Sequence, residues 1–272
     1  MPIHTAVPIR VFDQEAYHKI DWRVRGIAFD IHNEFGRYLD ERLYQKELTR
    51  RCRDSGLRVD PEMQITVALA DFHKDYFVDH LVEQGVILET KAVSTLTLPH
   101  KGQLLNYLFL CELHHGTLLN FRTERVQHEF VSTRLTSASR RQYEIDLSAW
   151  QPLSSACHGL QEVLHRLLTE WGAFLDPILY RDACTHFLGG ETRVIRNIPV
   201  QSEAELIGTQ EMHMLTEDIA FSVTASTHRP DSVLEHQRRF LAHTPLRAIQ
   251  WINLNHHKIE LRTITKSCDT GS

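Results

Sequence analysis

The sequence is short of the features that would classify it at a glance. Its five cysteines, Cys52, Cys111, Cys157, Cys184 and Cys268, are scattered and include no C-x-x-C pair. That usage argues against a disulfide framework and suits a reducing compartment. No apolar run approaches the roughly 18 residues a membrane span needs. The opening MPIHTAVPIRVFDQEAY also lacks a basic-then-apolar leader. A cytoplasmic protein without a membrane partner is the expectation. Nor is there an excess of basic charge: the net charge is −5. Tight, sequence-independent binding of duplex DNA usually goes with a basic balance, so nucleic-acid contacts would have to come from local clusters. The candidates are Arg50, Arg51 and Arg53, then Arg134, Arg140 and Arg141; a solvated surface is the blander reading of both. No Walker or dinucleotide glycine pattern occurs, and Gly189-Gly190 reads as a turn. None of the 18 histidines falls in a zinc-ligand spacing. The pairs His114-His115 and His256-His257 are adjacent, which aims them apart, and read as exposed structural residues.

What is present is ordinary globular material. With 42% hydrophobic and 24% charged residues over 272 positions, the chain can bury real cores in one large domain or two of usual size. Apolar residues at Ile20, Val24, Ile27, Ala28 and Ile31 predict a helix over 17–35, punctuated by Gly36. Asp40 is a plausible N-cap for a second helix running to about Cys52. Residues 64–70 alternate as a half-buried strand does, and 76–82 and 86–93 predict two more strands joined at Glu83-Gln84-Gly85. Pro99-His100 introduces a helix to about Leu113, and His115-Gly116 turns into one or two strands. Cys111, Cys184, Trp150, Trp171 and Trp251 read as core or domain-interface residues.

The same unit then recurs. Residues 34–44, EFGRYLDERLY, match 170–180, EWGAFLDPILY, at six of eleven positions. Further on, VILETKAVST (86–95) lines up with IAFSVTAST (219–227), allowing one gap, and LLNF (118–121) with AIQW (248–251). Order and spacing persist, which predicts a tandem duplication, with domains at 1–148 and 149–272. The fold class expected is α/β: two mixed sheets, each flanked by helices.

The chemistry gathers in the first copy. If 83–85 form the hairpin loop, Asp79 and Glu89 face each other across antiparallel strands, with Cβ atoms about 5 Å apart. Lys91, two residues on, shares the face of Glu89. Two facing carboxylates repel unless a cation sits between them, and their oxygens suit Mg²⁺, with Mn²⁺ as a substitute. The lysine can orient or deprotonate an attacking water and offset developing charge. A charged pair inside the apolar strand VILETKAV needs such a reason.

The run D79-x9-E89-T90-K91 resembles the core of the PD-(D/E)XK nuclease superfamily. The wider pattern of Ile31-His32, Gly36, Leu39, Glu41, Tyr44, Gln64, Asp79, ILETKAV, H100-x-x-Q103-x-x-N106-Y107-L108 and GTLLNF is similar to its GxxExxY branch. This covers about residues 20–135. The resemblance implies two tandem nuclease-like domains and cleavage of DNA or RNA in the first. Glu41 is then the helix-borne acid, Asp79 and Glu89 ligate Mg²⁺ together with Glu41, Lys91 is the catalytic lysine, and Gln103 faces the scissile phosphate. One position departs from the pattern: Tyr38 stands three before Glu41, where the motif has glycine, and a ring there would narrow the approach to Glu41.

In the second copy Glu41 aligns with Pro177, Asp79 with Met212, Glu89 with Ser222 and Lys91 with Thr224. Ligands and lysine are gone, so that half is expected to be inert, serving as an internal pseudo-partner or extending a groove. The rival expectation is a non-catalytic module that binds nucleic acid or protein through a relic site.

Overall fold

The computed structural model describes residues 3–203, 205–226 and 230–266. It divides the chain into two units, 1–137 and 138–272. The first contains β1 (Ile3–Thr5), α1 (Gln14–Phe35), α2 (Glu41–Asp54), β2 (Val59–Leu69), β3 (Phe72–Val82), β4 (Val86–Lys91), α3 (Leu98–Cys111), β5 (His115–Asn120) and β6 (Gln127–Ser132). A short turn of helix, α4 (Ser137–Arg140), leads to the second: β7 (Glu144–Ala149), α5 (Ser155–Trp171), α6 (Pro177–Phe187), α7 (Glu191–Val194), β8 (Ile195–Ser202), β9 (Glu205–Met214), β10 (Ile219–Thr224), α8 (Pro230–Ala242), β11 (Ala248–Asn255) and β12 (Lys258–Thr265).

In the first unit the helices α1 and α2 carry the periodicity expected of them. Val24, Ala28 and Ile31 of α1 and Tyr44, Leu48 and Cys52 of α2 are buried against Val82, Val86, Leu88, Leu119 and Phe121. The six strands run β1-β2-β3-β4-β5-β6 across the sheet. All neighbours are antiparallel except β4 and β5, whose parallel pairing requires the α3 crossover between them. Every residue of β4 is buried, which sets its charged residues inside the protein. The hairpin into β4 turns through Glu83 and Gln84, both with positive φ. Gly85 follows because a Cβ there would lie 2.0 Å from the Arg10 carbonyl oxygen.

The second unit repeats this plan. Its order, β7-β12-β11-β10-β9-β8, read backwards gives β8 to β12 in the places of β2 to β6, with the same single parallel pair, β10 with β11. The sixth strand differs. In the first unit β1 extends the β2 edge, antiparallel; in the second β7 extends the β12 edge, parallel. That pairing moves the division of the chain upstream of the expected joint at 148/149, since β7 belongs to the second sheet.

The clearest local likeness lies between the paired helices. Tyr44 donates from its hydroxyl to the Gly36 carbonyl, and Tyr180 donates to that of Gly172, the matched positions. Gly36 (φ 70°, ψ −155°) and Gly172 (φ 81°, ψ −170°) share a backbone conformation almost restricted to glycine. Gly36→Ala is therefore expected to cost about 1–3 kcal/mol. Gly172→Ala should cost more, because its Cβ would come within 3.0 Å of the Arg140 backbone. Urea denaturation reads both, and unchanged midpoints would refute the assignment.

Other expectations are revised. The match of LLNF with AIQW is displaced by three residues. The parallel registers Lys91↔Asn120 and Thr224↔Asn253 make Leu118–Phe121 equivalent to Trp251–Leu254. His115-Gly116 lies within β5 rather than in a turn, and His114 and His115 are half-buried, with His115 stacked on Phe130. Trp171 and Trp251 are buried, while Trp150 is only partly so. Burial pushes the Cys111 and Cys184 thiols up to about 12, as inert core residues require. Cys268 and Thr227 lie outside the described residues. Among the described residues no helix is long and apolar enough to cross a membrane.

Candidate active site

The candidate site forms where the β3–β4 ladder stops. Backbone pairing joins Val82 to Val86, Leu81 to Ile87 and His80 to Leu88. One step further Asp79 would face Glu89, and there side chains take over from the backbone. The Asp79 N–H donates to Glu89 Oε1 at 3.3 Å, and the Thr90 N–H donates to Asp79 Oδ2 at 2.8 Å. Each carboxylate thus reaches the other strand, so the two acids share one opening of the sheet.

Lys91 follows on the same face. Its Nζ lies 3.2 Å from Glu89 Oε2 and 4.0 Å from Glu41 Oε1. Glu41 is the first residue of α2, behind Asp40 as N-cap, and its Oε2 accepts from the Ala92 N–H at 3.0 Å. Tyr44, stacked on Phe121 at 4.4 Å and bonded to Gly36, fixes the start of that helix. The motif residues Gly36 and Tyr44 therefore act by setting Glu41 against the end of β4. Tyr38 does not crowd Glu41: its ring is 76% exposed and lies against the Arg37 guanidinium.

Electrostatics follow from this burial. Glu89 is 0% exposed, and burial, reinforced by the charge of Asp79, pushes its carboxyl up to about 8. Burial works against the charge of Lys91 as well, yet Glu89, Asp79 and Glu41 together outweigh it and hold the ammonium above its ordinary range. Lys91 is thus a cation here, better suited to offsetting negative charge than to taking a proton from water.

The donor set fits a hard divalent cation at Asp79 and Glu89. Two facing carboxylates, one raised by burial and by its neighbour, lack enough positive charge, and oxygen donors are what such ions prefer. Glu41 is not placed as a third ligand, because its carboxylate is turned to Ala92 and the Lys91 ammonium lies within reach of both Glu41 and Glu89. Among the described residues no three His, Cys, Asp or Glu side chains form a group that could hold a metal. Gln103 stands apart: exposed on α3, it donates to the Tyr107 hydroxyl at 3.0 Å.

Asn120, present in the motif GTLLNF without a role read from it, is fully buried at the end of β5 and clamps the chain just after β4, its Oδ1 accepting from Val93 N at 3.1 Å and its Nδ2 donating to Val93 O at 2.8 Å. Asn253 does the same to Ser226 in the second unit, at 2.8 and 3.0 Å. The signal was available, an asparagine recurring in both copies, but the three-residue misalignment hid it.

Five of the six clustered arginines are occupied structurally, while Arg134 is exposed. Arg50 pairs with Glu47 and Asp54, Arg51 with Glu47 and Glu34, and Arg53 donates to the Val59 carbonyl. Arg140 is buried and donates to the Trp171 carbonyl, while Arg141 donates to that of Glu170.

Comparison with known proteins bears on the same segment. Residues 18–133 match the family model described as the PD-(D/E)XK nuclease superfamily. The narrower likeness to the GxxExxY branch rests on the motif residues alone. No curated protein matches the chain. A solved structure titled "Crystal structure of SSO0001" aligns with 16% identity and a TM-score of 0.29, covering 46% of this chain and 62% of that one.

Proposed function

With residues 18–133 matching the family model of the PD-(D/E)XK nuclease superfamily, we propose that the first unit hydrolyses phosphodiester bonds of nucleic acid with Mg²⁺, or Mn²⁺ in its stead. The observation that carries this reading is the interrupted ladder, which gathers Asp79, Glu89 and Lys91 at one opening of the sheet. Asp79 and Glu89 would hold the ion. When bound, such an ion offsets phosphate charge and makes water more acidic. Lys91 supplies a fixed positive charge where the phosphorane-like transition state gains negative charge. Glu41 is a positioning residue that holds Lys91 and the end of β4. Gln103 would face the scissile phosphate only after leaving Tyr107, a role that rests on the resemblance. The second unit, with Pro177, Met212, Ser222 and Thr224 at the matched positions, would be inert and act as a built-in partner or an extension of the substrate surface.

One observation favours a second reading, a non-catalytic binding module: Glu41 does not join the carboxylate pair. Calorimetric titration with Mg²⁺ and Mn²⁺ separates the two. The nuclease reading expects metal binding that Asp79→Asn weakens at least tenfold, together with metal-dependent cleavage of DNA or RNA. Absence of metal binding, with both nucleic acids left uncut, would favour the relic.

A further inference from the structure

We propose that the cavity between α2 and the β2–β3 hairpin receives one unpaired nucleotide of a single-stranded polynucleotide, with Arg42 and Lys46 holding its phosphates. The proposal rests on the nuclease reading of the adjacent site and adds the strand form of the substrate. The cavity is about 420 Å³, and Asp79 forms part of its wall, so it opens directly beside the carboxylate pair. A volume near the lower end for small-molecule sites suits one nucleotide. A base held in a duplex is paired and stacked, and would have to leave the stack at a cost of a few kcal/mol.

The lining is of mixed charge, with Asp54, Glu62 and Asp79 among it, but its cations are gathered on α2. Arg42, Lys46, Thr49 and Arg53 line the cavity at helical spacing, along one face of α2. Arg50 and Arg53, on the same wall, already have partners. Among the described residues Arg42 and Lys46 have no carboxylate within ion-pair distance. In a chain of net charge −5, two uncompensated cations beside an acidic site give a polyanion a local hold that the whole surface does not.

His80, 1% exposed, also borders the cavity, and its Nε2 donates to the Gln45 carbonyl oxygen at 3.1 Å, which ties β3 to α2 beside it.

Fluorescence anisotropy with the full-length protein in EDTA tests this without cleavage. The probes are a short, labelled, mixed-sequence single strand and the blunt duplex of the same length. The single strand should bind at least tenfold more tightly. Arg42→Ala with Lys46→Ala should weaken it about tenfold and lower the slope of log affinity against log salt by about 1–2. Gln45→Trp, which fills the cavity without changing charge and keeps the backbone carbonyl that His80 uses, should also weaken binding while preserving the slope. Thermal melts confirm that both variants fold. Equal binding of duplex and single strand, no binding of either, or wild-type affinity in both variants would overturn the proposal. Cleavage by a protein whose variants still bind normally would leave the nuclease reading standing and remove this one. Single-strand binding that is sensitive to the variants, in a protein that cuts nothing, would do the reverse.

Discussion

Lys91→Ala is expected to lower metal-dependent phosphodiester cleavage by about a thousandfold or more, a loss typical of removing a group that acts on transition-state charge. Two effects compound. The cation that would face the phosphate disappears, and Glu89 loses the ammonium 3.2 Å away that favours its charged form. Burial and the charge of Asp79 are then opposed only by the Asp79 N–H bond to Glu89, so at neutral pH it becomes a still poorer metal ligand. Glu89→Gln keeps the shape and removes the charge, and its loss should be comparable. Ser222→Ala, the matched position in the second unit, should leave the rate at the wild-type level. Initial rates on labelled substrate, with circular dichroism to verify folding, decide the matter. Cleavage that survives in Lys91→Ala would move the chemistry elsewhere in the molecule.

The second large effect is on stability in the absence of metal. Glu89 titrates near 8 in the folded protein and near 4.5 when unfolded. Between those values the unfolded chain has given up a proton that the folded one keeps, so stability falls as pH rises. The contribution of Glu89 is fully present below about pH 4.5 and lost by the time pH passes 8. The total is on the order of a few kcal/mol, since one pKa unit corresponds to about 1.4 kcal/mol. Glu89→Gln cannot titrate, so its stability should decline less across this window and exceed that of the wild type at its alkaline end. Urea midpoints measured in EDTA at steps from pH 5 to 9 give the comparison. Parallel curves for the two proteins would show that Glu89 ionises normally.

Most of the scaffold was legible because its signals are local. The 3.6-residue spacing of Val24, Ala28 and Ile31 needs nothing beyond its own helix, and the turn at Glu83-Gln84-Gly85 announces the hairpin. That hairpin in turn placed Asp79 opposite Glu89 and Lys91 on the face of Glu89, the relation on which the candidate site depends. Illegible were features fixed by distant partners. β1 is three residues long and is a strand only because β2 pairs with it. The backbone amide that draws Glu41 away from the pair belongs to Ala92, fifty-one positions downstream. The clamp of Asn120 on Val93 likewise joins separate strands, and its counterpart Asn253 stands three residues beyond the position that the match of LLNF with AIQW gives it.

The strand added at opposite edges of the two sheets has a practical sequel for anyone cutting the gene in two. A fragment starting at residue 149 would lose nearly all of β7 and leave the outer edge of β12 bare, a ready template for unwanted association. It would also discard Arg140, whose guanidinium donates to the carbonyl of Trp171 from a fully enclosed position. A fragment beginning at Ala138 keeps both, and is the one to express when asking whether the second half can stand by itself.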